Sequence, residues 1–502
     1  VTKSSLTITK WYITVLLVAG ALYVVSCAPG PLWQDSGLIQ YRVWHGDIEG
    51  FLGLAIAHPL YYLVAIAAKL VPLGEFGHRV NLVSAVAGAV AVANLYLLVR
   101  LWLRRTFPAV MAAVTLAVSH TFWRHASIAE TYTLWTALFL GELIVLLLYT
   151  RTTRICYLYA LGLLNGMAVA VHMLGILPLV CYGVLTFLLL ANKTIRPKQA
   201  SAAVLFWLLG VAPFGYLILK NIVASGDVVG TLASAAFGDR WRGDVLNTAL
   251  SWRIMKENVL LLVLNFPTPN ALLFFVGLWA LRRAGPGPAF RNTIVVLLVL
   301  FFVFALRYTV SDRYAFFIPF YSLAAALIGL GVHTLQQRVR GKALLCLVAA
   351  FALIPVPAYA AAPALAHRLD MPIGTRGDVP YRNDYRYFLQ PWKTGYRGAE
   401  RFAHEALNAV EPDAIIIADT TTVAPLLYAQ EVTGLRPDVS IVTGIVRSAE
   451  GPVYDERTLR VLSAVRPTYA TSNRVGYAPP FVLEHYGLVE TGVLWRAVPR
   501  RP

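Results

Sequence analysis

The chain has 502 residues, of which 58% are hydrophobic and only 14% charged, and its mean hydropathy is +0.62. These values exclude a disordered chain and argue against an ordinary soluble protein, about a quarter of which is charged. A single membrane anchor is excluded too, because apolar stretches recur from Trp11 to Ala358. Lys and Arg number 43 against 26 Asp and Glu, a net +17. That excess suits cytoplasmic loops facing anionic lipid. With neither zinc-finger spacing nor a basic patch interleaved with aromatics, no nucleic-acid partner is expected.

A membrane-spanning helix needs about 20 apolar residues. Spans are predicted near 11–28, 80–99, 108–123, 131–149, 155–171, 174–191, 201–220, 259–281, 292–306, 314–333 and 342–359, eleven in all. The fifth and sixth form a tight hairpin around His172–Gly175. Alternate connections carry Lys3 and Lys10; Arg100, Arg104 and Arg105; Arg151 and Arg154; Lys193, Arg196 and Lys198; Arg282, Arg283 and Arg291; Arg338, Arg340 and Lys342. The positive-inside rule places that set in the cytoplasm. The 29–79, 124–130, 221–258 and 307–313 loops and the C-terminal segment then lie on the opposite face. Val24–Cys27 loosely resembles a lipoprotein cleavage box, and the first span is expected to be retained. Cys27, Cys156, Cys181 and Cys346 show no CxxC spacing, so neither a metal site nor a disulfide framework is expected.

From about residue 365 the composition changes to Arg, Asp, Glu, Pro and Tyr. Arg397–Val410 has helical periodicity, Ala414–Asp419 reads as a short buried strand, Val423–Val432 as a helix and Val439–Thr443 as a second strand. Strand, helix and strand with short connections predict a parallel βαβ unit. The expected class is an α-helical polytopic membrane protein with a small C-terminal α/β domain. Its membrane part covers 1–360, with a long first outer loop at 29–79, and its outer domain covers 365–502. No Walker loop and no GxGxxG after a strand supports nucleotide binding.

The acids outside the spans carry the chemical information. Asp35, Asp47, Glu49 and His58 lie in the first loop, which is apolar enough to form helices lying on the membrane surface. A carboxylate there can take a proton from an attacking hydroxyl or hold a divalent ion; a solvated loop acid is the plainer reading. Glu130 lies in FWRHASIAETYTLW, a loop too short to leave the bilayer boundary, where an acid is costly unless paired or used. Arg124 and His125 are its plausible structural partners. Arg307, Asp312, Arg313 and Tyr314 lie at another outer boundary, in LRYTVSDRYAFFIPFY. The Arg fork fits a phosphate; an Asp312–Arg313 pair, or snorkelling to headgroups, explains the same residues. Asp419, with threonines 420–422, ends a predicted strand, a position that binds ligands or caps a helix.

The order DSG, AHPLYYL, RVNLVSAVAGAVAVA and SHTFWRHASIAETYTL resembles the GT-C class of integral-membrane glycosyltransferases. Within it, the chain is similar to a bacterial domain-of-unknown-function family related to the eukaryotic transmembrane O-mannosyltransferases. EPDAIIIADTTTVAPLLYAQEVTGLRPDVSIV is similar to that family's soluble part. The likeness runs from about Asp35 to Ala137 and from about Arg397 to Val442. The chain departs from it at Leu38, at Leu60–Tyr61 and at Ala418–Thr421.

The resemblance implies transfer of a sugar, mannose being one candidate, from a polyprenyl-phosphate carrier to an acceptor hydroxyl on the outer face. The acceptor would be protein Ser/Thr or an envelope glycan or lipid. Asp35 matches the family's first-loop catalytic acid and Glu130 the acid of the next outer loop. Arg313, with Arg307 or Arg124, would neutralise the donor phosphate, and His58 is a further candidate. Asp47, Glu49, Arg79, Asp312 and Tyr314 would support the site or the acceptor. No cofactor is expected, a divalent ion at Asp35 and Glu130 being the alternative. Inversion is expected, since one base suffices for a single displacement. The bacterial inner membrane, with a cytoplasmic N-terminus, is the expected location. The rival reading is a transporter or flippase of a lipid-linked or anionic substrate, for which Pro178, Pro213, Pro267 and Pro269 leave room. A third is a non-catalytic scaffold.

Overall fold

The computed structural model describes residues 3–72, 74–238, 242–283, 287–310, 312–339, 341–374, 376–443 and 456–500. Among the described residues eight helices are long and apolar enough to cross a bilayer: Leu6–Ser26, Phe76–Leu103, Tyr132–Thr152, Met173–Ala191, Pro197–Ser225, Pro288–Arg307, Arg313–Arg338 and Lys342–Arg368. Ile155–Val171 has 17 residues and pairs along its length with Pro197–Ser225. Gly166 and Gly210 make that approach possible, because a Cβ on either would lie within 2.3 Å of a carbonyl of the other helix.

The two remaining expected spans are not straight. Thr106–Ala117 and His120–Ala126 meet at 70°, and Trp252–Asn265 and Pro269–Ala280 at 113°. The second bend replaces the single span read at 259–281. Its cause is Pro267 and Pro269, which cannot donate to the preceding turn, followed by Thr268 capping Asn270. Asp35, Glu130 and Asp312 lie between helix ends on one side of the bundle, and the Lys and Arg runs lie at the opposite ends.

Two short apolar helices, Pro59–Leu70 and Val228–Phe237, lie in the loops between the spanning helices. Both leave large apolar side chains exposed, among them Leu70, Leu63 and Val229, as expected of helices resting at a membrane surface.

The C-terminal region forms a five-stranded sheet of order β2-β1-β3-β5-β4. β1 (Ile415–Ile417) pairs in parallel with β2 (Ser440–Val442), Ile416 facing Ile441, and with β3 (Thr468–Ala470). β4 (Tyr486–Thr491) and β5 (Leu494–Pro499) form a hairpin added antiparallel to β3. The anticipated strand–helix–strand unit is present, and its helix divides into Val423–Leu427 and a π-turn over Tyr428–Val432. β3, β4 and β5 were not foreseen, because β3 is three residues long and the hairpin strands are half-exposed. The outer domain is not free of the membrane part. Trp33 and Tyr41, from the first outer loop, are buried in the same apolar cluster as Phe402, Leu407, Ile416 and Leu426.

Candidate active site

The DSG segment opens the Gln34–His45 helix, which lies between the membrane bundle and the outer domain. Gln34 has φ 53°, the left-handed region that a side chain other than glycine adopts at a cost. Its N–H donates to the Thr421 carbonyl at 3.3 Å. Trp33 Nε1 donates to Tyr396 Oη at 2.5 Å, and its ring packs on Phe402 at 5.3 Å. A Cβ on Gly37 would stand 2.2 Å from the Leu32 carbonyl and 2.8 Å from Ala424 Cβ. Glycine is therefore what lets this helix reach the outer domain. On the membrane side, Gln40 Nε2 donates to Asn81 Oδ1 at 2.9 Å, while Asn81 Nδ2 reaches the Ala28 and Gly30 carbonyls. Of the RVN segment, Asn81 fixes the loop. Arg79 does the same by donating to the Ala68 and Val71 carbonyls.

So held, Asp35 is surrounded by protein while its carboxylate stays open to solvent, as a group lining a cavity does. Burial raises its pKa above the ordinary carboxylate range. Glu130 lies across from the neighbouring residue: Ser36 Oγ donates to its Oε1 at 3.4 Å. The Glu130 backbone is clamped by Ser84, whose Oγ accepts from its N–H and donates to its carbonyl, both at 2.9 Å. Burial first, then the charges of Asp35 and Asp312, hold Glu130 well above its usual pKa, with Arg124 and Ser36 acting in the opposite direction. Asp312 is pushed up to about 7 by burial and then by Asp35, again opposed by Arg124. Three carboxylates from three separate loops thus share one electrostatic site with one guanidinium.

Arg124 is buried, with 5% of its surface exposed. It donates to Tyr314 Oη at 2.5 Å and lies over the rings of Tyr314, Tyr387 and Phe388 at 5.0–5.6 Å. It forms no ion pair among the described residues, and its Nε has no partner. The expected Arg124–Glu130 pair is therefore a longer-range attraction.

Other sequence candidates lie apart from this cluster. Arg313 does not face the carboxylates; its Nη2 pairs with Glu257 Oε2 at 2.5 Å, and the anticipated Asp312–Arg313 pair is absent among the described residues. Arg307 donates to the Val245 and Asn247 carbonyls, both at 2.6 Å. His58 Nδ1 lies 2.9 Å from the Val171 carbonyl, and its ring stacks on His172 at 4.8 Å. Burial and the Arg42 charge lower its pKa to about 3, so it carries no charge with which to hold a phosphate. Asp47 accepts from the Glu49 and Gly50 N–H groups and pairs with Arg42 at 3.3 Å. Glu49 ties the loop to Lys220 and Asn221 at 2.5 and 2.7 Å. Asp419 is bound by Arg376 and accepts from the Thr421 N–H at 2.7 Å, a capping arrangement. Among the described residues no three His, Cys, Asp or Glu side chains converge as metal ligands.

In fold the chain is like solved GT-C membrane glycosyltransferases. The chain is similar to ArnT from Cupriavidus metallidurans bound to undecaprenyl phosphate, with 14% identity, a TM-score of 0.64, and 97% of this chain and 98% of that one covered. The apo state of the same protein aligns with 15% identity and a TM-score of 0.61 over 98% and 97%. AglB from Archaeoglobus fulgidus, in complex with an inhibitory peptide and a dolichol-phosphate, aligns with 13% identity and a TM-score of 0.49 over 92% and 69%. At these identities the likeness is one of fold. Residues 52–195 match the family described as the protein O-mannosyl-transferase TMEM260 N-terminal domain. That segment contains Glu130, Arg124 and the Ser84 clamp.

Proposed function

We propose that the protein transfers a sugar, mannose being the first candidate, from a polyprenyl-phosphate carrier to an acceptor hydroxyl on the outer face of a bacterial inner membrane. The N-terminus is then cytoplasmic and the sheet domain lies outside. The convergence of Asp35, Glu130 and Asp312 with Arg124 carries this reading. Asp35, the carboxylate open to solvent, takes the acceptor's proton as its oxygen attacks the anomeric carbon. The bond from that carbon to the phosphate oxygen breaks, and the electron pair leaves on the phosphate. Arg124 offsets the charge that develops there. Glu130 orients the acceptor or the base. A single displacement of this kind inverts the anomeric centre. The raised pKa of Asp35 suits a base working near neutrality.

The family match favours protein Ser/Thr as acceptor. An envelope glycan or lipid is the other candidate. The test is transfer of radiolabelled sugar from a polyprenyl phosphate to acceptor protein by the purified chain. Asp35→Asn is expected to abolish transfer while expression and membrane insertion persist. Wild-type turnover by that variant would remove Asp35 from the mechanism. The breaks of 70° at Ala117–His120 and 113° at Asn265–Pro269 are what favours a transporter. Movement of labelled lipid without a new glycosidic bond would establish that instead.

A further inference from the structure

The connector between the last membrane helix and the sheet carries a buried lysine that the mechanism above does not use. Lys393 is 3% exposed. Its Nζ donates to the Gln390 carbonyl at 2.6 Å and reaches the Trp392 carbonyl at 3.4 Å. No carboxylate pairs with it among the described residues. It shares one ring with Arg124: the Tyr387 centroid is 5.3 Å from Lys393 Nζ and 5.6 Å from Arg124 Cζ. Arg382 touches the same ring at 5.5 Å, but its charge is met by Asp384 at 2.6 Å. Burial and the Arg124 charge hold the Lys393 ammonium well below its ordinary pKa.

Two desolvated basic groups without a carboxylate partner, side by side, are costly in a folded protein. An anion in contact with both would remove both costs. The arrangement is anchored rather than loose. The Lys393 N–H donates to the Ser26 carbonyl at 2.7 Å, Thr394 Oγ1 to the Val25 carbonyl at 2.8 Å, and Trp392 packs on Trp123 at 5.3 Å. His120 Nε2 lies 3.2 Å from the Leu389 carbonyl, one helical turn before Arg124.

We propose that Lys393 is the second basic residue of the donor-phosphate site, beside the Tyr387 ring that it shares with Arg124, so that the connector to the sheet domain completes the binding site for the lipid phosphate. This assignment rests on the donor reading above. It predicts that the phosphate, not the isoprenoid chain, is what Lys393 recognises.

The test uses the full chain in detergent with three probes: a short polyprenyl monophosphate, the matching polyprenol and phosphatidylglycerol. Lys393→Met is expected to weaken polyprenyl-phosphate binding by about tenfold or more, the size of one charge-assisted hydrogen bond. Lys393→Arg should restore most of it, and polyprenol binding should not change. The ligand-free Tm of Lys393→Met should equal or exceed the wild-type value, since a buried, unpaired basic group has been removed. Unchanged phosphate binding by Lys393→Met overturns the assignment. So does a loss accompanied by a lower ligand-free Tm, which marks a packing role. An equal loss of phosphatidylglycerol binding overturns it as well, by showing a general headgroup contact. If the wild-type chain binds none of the polyprenyl phosphate, the donor reading itself fails.

Discussion

Substituting Asp312 by Asn removes a buried charge from the carboxylate cluster, because an amide mimics the protonated acid in shape and hydrogen bonding. In the folded protein burial and Asp35 push Asp312 up from 3.8 to about 7. At about 1.36 kcal/mol per pH unit, that rise corresponds to about 4 kcal/mol. Because the effect is shared with Asp35 and Glu130, about 2–4 kcal/mol is the expected range for the single substitution. An acid whose folded pKa lies above its unfolded one contributes nothing unfavourable at low pH, where both states are protonated. Between about pH 4 and about pH 7 the folded state holds the proton and the unfolded state has lost it, so stability falls as pH rises. Wild-type Tm in detergent should therefore decline across that window, and Asp312→Asn should flatten the decline. The two proteins should agree near pH 4 and differ near pH 8, with the variant the more stable. Loss of the neighbouring charge should also move the acid limb of kcat/KM to lower pH, because Asp35 then ionises more readily. Parallel Tm curves for the two proteins, offset equally at both ends, would show that Asp312 does not interact with the cluster.

Two further substitutions separate site from scaffold. Arg124→Ala should raise the donor KM by about tenfold or more, the loss of one charged contact, whereas Arg313→Ala should lower Tm by removing a buried side chain and its contact with Glu257, which keeps Arg253 at 3.0 Å, and leave donor KM nearly unchanged; donor KM values that respond in the reverse order would return the phosphate role to Arg313. Gly37→Ala forces a methyl against the Leu32 carbonyl and Ala424, at a cost of about 1–3 kcal/mol. It should reduce both Tm and turnover, while Gly183→Ala, whose Cβ meets nothing within 4 Å, is the control. Equal behaviour of the two glycine variants would show that the DSG helix does not depend on close contact with the outer domain.

The membrane architecture was legible because the signal is strong and local. Apolar runs about 20 residues long, with cations at alternate ends, mark helices without reference to tertiary contacts. What stayed hidden was direction within the chain's own interior. The run at 259–281 is apolar throughout, so hydropathy reads one span where Pro267 and Pro269 turn the chain by 113°. Asp35 and Glu130 were visible as acids at membrane boundaries, and the structure places them together. Arg313 was the most attractive phosphate ligand in the sequence because a planar Arg fork at a membrane boundary suits a phosphate. Its partner, Glu257, lies 56 residues earlier on another helix, and no periodicity links the two. Arg124, read both as a structural partner of Glu130 and as a second phosphate ligand, forms no ion pair among the described residues. Lys393 sits in QPWKTGYRG, which has no feature distinguishing it from any polar connector.

The position of Asp35 is set as much by the sheet domain as by the membrane helices, and this gives the domain a mechanical part in the reaction. The helix that bears Asp35 has one face buried with Phe402, Leu407 and Ile416. Tyr41 and His45, on the same helix, reach Glu431 at 3.2 and 2.6 Å. Tyr428 donates to Glu75 and accepts from the Gly77 N–H at 2.8 Å, fixing the start of the Phe76–Leu103 helix that carries Asn81 and Ser84. Both walls of the carboxylate cluster are therefore bolted to one turn of the outer domain, Tyr428–Val432. Burial of Asp35 raises its pKa only while those contacts close the site. Undocking the domain would both misplace the base and return it to an ordinary carboxylate, so sugar transfer and domain docking should be lost together.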